Sequence, residues 1–75
     1  MGFNVGDNVI FICNKPRYNT DNRLRGKIGT VKSIDNSANE EAGNQSLQVN
    51  WPINGMHGWW TMANEVRLAK PNELS

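Results

Sequence analysis

Apolar residues recur along this chain at every second position in short bursts, and glycine, asparagine, aspartate and proline separate the bursts. That period is the mark of strands, whose successive side chains point to opposite faces. The first burst is Val9-Ile10-Phe11-Ile12-Cys13, after the turn Val5-Gly6-Asp7. Val9, Phe11 and Cys13 share one face and Ile10 and Ile12 the other, which predicts a strand covered on each side at least in part. A polar loop from Asn14 to Arg25 follows, with Pro16 and no periodicity. The second strand is expected over Gly26 to Asp35, with Ile28, Val31 and Ile34 as its apolar positions. A spacing of three does not fit a flat strand, and Gly29 predicts a bulge that shifts the face by one residue.

After a second polar loop, Asn36 to Gln45, the stretch Leu47-Gln48-Val49-Asn50-Trp51 alternates cleanly, with Leu47, Val49 and Trp51 inward. Pro52 ends it, because proline has no N–H for the ladder. The turn Asn54-Gly55 leads to a fourth strand, Trp59-Trp60-Thr61-Met62. Ala63-Asn64-Glu65 predicts one turn of tight helix and Val66 to Ala69 a short fifth strand. Residues 70–75 read as a frayed tail. No segment offers three turns of helical periodicity. The expected fold is all-β: a single, strongly bent five-stranded barrel with a one-turn 3-10 helix before its last strand.

Four motifs stand in order along the chain: Gly6-Asp7-Asn8-Val9, Gly26-Lys27-Ile28-Gly29-Thr30-Val31, Leu47-Gln48-Val49-Asn50-Trp51 and Glu65-Val66-Arg67-Leu68. Together they resemble the prokaryotic SH3-like barrels, including the KOW-type modules of ribosomal and transcription-elongation proteins. The resemblance spans about residues 4–69 and implies one SH3-like barrel domain. In that family the Gly-Asp turn opens the first strand, the Gly-x-x-Gly-x-Val element is the bulged second strand, and an acidic residue precedes the closing strand. The barrel hosts unrelated jobs. Some members are protein-docking subunits without catalytic residues. One kind is a reductase that shares a central pore between four copies, and its Val-Gln-Ile-Tyr strand has no match in Trp59-Trp60-Thr61-Met62.

Length and charge narrow the function. A chain of 75 residues buries only about 60% of its unfolded surface, which leaves no room for a second domain or a deep substrate cavity. The net charge of +1 argues against gross electrostatic capture of nucleic acid or an anionic membrane, though a local patch is compatible with it. No apolar run approaches the ~20 residues that span a bilayer. The segment Met1 to Asp7 lacks the basic-then-apolar form of a signal peptide, so a cytoplasmic protein without membrane contact is expected.

Catalysis needs groups that exchange protons or attack, held within reach of one another. His57 is the one histidine, in a glycine-rich turn, and Cys13 the one cysteine. Two such residues far apart in sequence do not make the three or four ligands of a metal site. Cys13 reads as a small apolar residue at a strand end. Glu40-Glu41 reads as a solvated charge run rather than a catalytic pair. The expectation is a protein that is not an enzyme, with no metal and no cofactor.

The basic residues are more informative. Lys15, Arg17, Arg23, Arg25 and Lys27 are five of the eight, and Asp21 is the single acid among them. Tyr18 lies in the same stretch. Cations that pair phosphates, with a ring that stacks on a base, form the minimal kit for nucleic-acid contact. A merely solvated loop has the same composition. Trp59 and Trp60 are adjacent in a strand and so point to opposite faces, one inward and the other at least partly outside. Exposed aromatics are enriched at interfaces. The sequence therefore predicts a binding module that contacts nucleic acid or a nucleoprotein through Lys15, Arg17, Tyr18, Arg23, Arg25 and Lys27. The alternative is a docking subunit, or a small inhibitor of a larger enzyme, that uses Trp59 and Trp60. An oligomeric pore-type reductase is the third reading.

Overall fold

The computed structural model of the protein describes residues 2–16, 18–35 and 45–74. Five strands form one antiparallel sheet: β1 (Asn8–Phe11), β2 (Ile28–Asp35), β3 (Ser46–Asn50), β4 (Trp59–Met62) and β5 (Val66–Leu68). Their order across the sheet is β4-β3-β2-β1-β5. All five expected strands are present, with some ends displaced by one or two residues. Ala63–Glu65 forms the expected 3-10 turn between β4 and β5. Pairing leaves β4 and β5 at the two edges, so hydrogen bonds do not close the sheet into a ring.

The alternating residues of the inner strands build the core. Val9, Phe11, Val31, Leu47, Val49 and Trp51 are buried, together with Leu24, Met56, Ala63 and Val66. Each large aliphatic side chain hidden this way contributes about 1.5–3 kcal/mol relative to an exposed one. Phe11 and Trp51 meet edge to face, with centroids 6.1 Å apart and planes at 83°, the arrangement that ring quadrupoles favour. The Trp51 indole has a polar N–H to satisfy, and it donates to Thr61 Oγ1 at 3.2 Å inside the core. β1 is covered on both faces as expected, since Ile10 is buried opposite Val9 and Phe11, although Ile12 lies outside the strand and is exposed.

The bulge in β2 is real but displaced. The ladder with β3 runs Thr30–Asn50 and Val31–Val49, then resumes at Ser33–Gln48, so Lys32 is the extra residue and not Gly29. That insertion explains why Val31 and Ile34, three apart, both turn towards the core. Gly29 instead sits in regular pairing opposite Val9. It is glycine because of a close approach: a Cβ there would lie 2.5 Å from Val49 Cγ1 and 2.7 Å from Trp51 Cε3.

Two segments read as irregular carry short helices. Asn19–Leu24 in the first loop is a 3-10 helix that buries Asp21 and Leu24. These two residues are three apart and therefore share a face at three residues per turn. In the tail, Pro71–Glu73 forms a 3-10 turn. Glu73 accepts two bonds from the Arg67 guanidinium, at 2.9 and 2.8 Å, and one from the Lys70 backbone N–H at 2.7 Å. Among the described residues, no helix is long and apolar enough to cross a membrane.

Candidate binding cleft

The first loop folds back onto the start of β4. Tyr18 precedes the 3-10 helix, and its carbonyl accepts the Asp21 N–H at 2.9 Å, which closes the turn. Asp21 is only 2% exposed. A carboxylate taken out of water needs a donor, and Trp59 supplies one: its indole Nε1 donates to Asp21 Oδ1 at 2.9 Å. This bond ties the loop to β4. Tyr18, Thr20, Trp59 and Trp60 then line a cleft of about 310 Å³. Trp59 is half-buried and packs against the core. Trp60, next along the strand, points the other way and is 48% exposed, while Tyr18 is 56% exposed.

The basic residues of the loop divide. Arg25 is turned back on the loop itself. Its Nε donates to Cys13 O at 3.1 Å, and its Nη2 donates to Asn14 O at 3.1 Å and Asn22 Oδ1 at 2.6 Å. Arg23 is exposed, with Nη2 3.5 Å from Met56 Sδ. Lys15 and Lys27 are exposed. Arg17 lies outside the described residues, as do Glu40 and Glu41. Tyr18, grouped by sequence with the cations, thus shares a cleft with the two tryptophans. Thr20 and Asp21 join the site without having been singled out. The spacing of Asp21 and Leu24 was the available signal, but one turn of 3-10 helix repeats it only once.

His57 lines a separate groove of about 420 Å³, with Ile28, Thr30, Asn50, Trp51 and Pro52. Among the described residues, no ionisable side chain other than the imidazole lines that groove. Cys13 is half-buried and free. Among the described residues, no three His, Cys, Asp or Glu side chains converge as a metal site would require.

No known protein family, curated protein or solved structure matches the chain.

Proposed function

We propose that the protein is a non-catalytic binding module that docks a protein segment in the cleft between its first loop and β4. The observation that carries this is the convergence of Tyr18, Thr20, Trp59 and Trp60 on one concave, mainly aromatic surface. Tyrosine and tryptophan give large contact areas at low entropic cost, which is why they dominate the energetic centres of protein interfaces. The cleft is anchored from behind by the Trp59–Asp21 bond, so its shape is set before a ligand arrives.

We also read the sheet as the SH3-like barrel that the four sequence motifs resemble. Strand order, the long first loop and the 3-10 turn before β5 support that reading. So does the bridge between Phe11 and Arg25, which bends the chain entering β2 back towards the end of β1.

A second reading, single-stranded nucleic acid, is favoured by Lys15, Arg23 and Lys27, which are exposed and flank Tyr18 along the chain. In it, Tyr18 and Trp60 stack bases while the cations pair phosphates. Two features weigh against it as first choice. Arg25 gives its donors to the loop, and a buried carboxylate lies behind the cleft.

Salt separates the two. Short labelled RNA and DNA would be titrated by fluorescence anisotropy at low and moderate salt, beside a displayed random-peptide library. Peptides that bind the parent and lose about tenfold or more on Trp60→Ala support docking. Oligonucleotide binding whose log affinity falls by about 0.7 per phosphate contact per log unit of salt, with no peptide enriched, overturns it.

A further inference from the structure

The register of β3 with β4 decides which backbone groups of the edge strand are used. Ala63 N–H donates to Gln45 O at 2.8 Å, and the ladder continues through Leu47–Thr61 and Val49–Trp59. In an antiparallel pair, hydrogen-bonded and non-hydrogen-bonded positions alternate. Trp59, Thr61 and Ala63 therefore bond inward to β3. Trp60 and Met62 aim their N–H and C=O groups off the sheet. The Met62 N–H is already taken, by Glu65 Oε1 at 3.0 Å. No hydrogen bond among the described residues reaches the N–H or C=O of Trp60.

The opposite edge is treated differently. The Val66 N–H on β5 donates to Ala63 O within the 3-10 turn, and the Leu68 carbonyl accepts Arg67 Nη1 at 3.1 Å. Each of these two residues thus has one of its two outward groups taken, and capping of this kind blunts an edge against further pairing. β4 keeps one open donor–acceptor pair, and it lies on the residue whose side chain lines the aromatic cleft.

An open N–H and C=O one residue wide is complementary to another peptide backbone, which can add along the edge as a further strand. The loop that supplies Tyr18 and Thr20 exposes Lys15 and Arg23, while its own acid, Asp21, is buried and bonded to Trp59. The charge available at the surface of this loop is positive. We infer that the cleft and the β4 edge together take an extended acidic peptide, one residue of which pairs with the Trp60 backbone while a neighbouring bulky apolar side chain fills the Tyr18–Thr20–Trp59–Trp60 cleft. This rests on the docking reading above and names the class of its partner.

The test uses two capped peptide libraries of seven residues, one with glutamate at alternate positions and one with lysine there, the positions between being randomised. Both are selected against the intact protein. Enrichment from the glutamate library, with large apolar residues in the randomised positions, is expected. In the best binder, N-methylation at one backbone position should weaken binding about tenfold, the worth of a well-made backbone hydrogen bond. Amide exchange at Trp60 should slow when that peptide is bound. Enrichment from the lysine library overturns the charge assignment. Binding that is lost on Trp60→Ala but has no N-methyl-sensitive position overturns the edge pairing while leaving the cleft as a docking site. Enrichment from neither library, with salt-sensitive binding of an oligonucleotide, overturns both this inference and the docking reading.

Discussion

Gly29 has no side chain because Val49 and Trp51 occupy the space where one would go. A Cβ 2.5 Å and 2.7 Å from those two side chains is inside van der Waals contact, and both neighbours are completely buried. Overpacking of this kind costs about 1–3 kcal/mol, occasionally more. Gly29→Val is expected at or above the top of that range, because its extra methyls deepen the clash; urea unfolding measures it, and a midpoint equal to the parent's would show that the core yields freely. The importance of this glycine was legible in the sequence, yet its reason was not. A glycine between Ile28 and Thr30 reads as a bulge, whereas the tryptophan that excludes a side chain there is distant in sequence. The Trp59–Asp21 bond is of the same kind, a pairing across two segments that local pattern does not display. Trp59→Phe would leave the Asp21 carboxylate buried without its donor, a loss of about 1–3 kcal/mol. Adding Asp21→Leu should recover most of it, since replacing both partners by apolar groups is close to neutral. A double variant as unstable as the sum of its parts would refute that account.

Short elements held by side chains are where this fold departs most from its pattern. The strands announce themselves through alternation, and the turn Ala63–Glu65 through the break between two strands. The 3-10 helix at Asn19–Leu24 is stabilised instead by what it buries, Asp21 and Leu24, against partners elsewhere in the chain. The tail turn depends on Glu73, whose carboxyl the Arg67 guanidinium, and then the Lys70 N–H, hold down at about 2 from an ordinary value of 4.5. The same pairing raises Arg67. Because Glu73 is more acidic in the folded chain, its contribution is fully present above pH 4.5 and is lost as the pH falls towards about 2. Both side chains remain open to water, so global stability should change little. What should change is local: amide protection at Glu73 and Leu74, whose N–H groups close the turn on Lys70 and Pro71, is expected to fall across that interval. Protection that persists to pH 2, or that is already absent at pH 6, would show that the ion pair does not hold the turn.

At the scale of the molecule, strand number, strand sequence and the inward set Val9, Phe11, Val31, Leu47, Val49 and Trp51 were all readable from period and punctuation. Register was not, because the one-residue slip at Lys32 depends on how β2 meets β3 and not on any residue type at the slip. The site followed the same division: its aromatic members stood out, and their meeting in one cleft came from the loop folding onto β4. The connectivity of the sheet has a further consequence, for the order in which it assembles. β2, β3 and β4 form a meander, each pairing with the next along the chain. β5 pairs with β1, joining Val9 to Leu68 across nearly the whole sequence. Closing so large a loop costs entropy that must be met before the contact rewards it. The meander is therefore expected to form in the transition state, with the β1–β5 ladder zipped afterwards. Truncating Val49 to alanine should then slow folding, while truncating Val66 should leave the folding rate nearly unchanged and speed unfolding. Stopped-flow tryptophan fluorescence across a urea series distinguishes the two limbs, and equal slowing of folding by both truncations would mean that the far strands are already joined at the barrier.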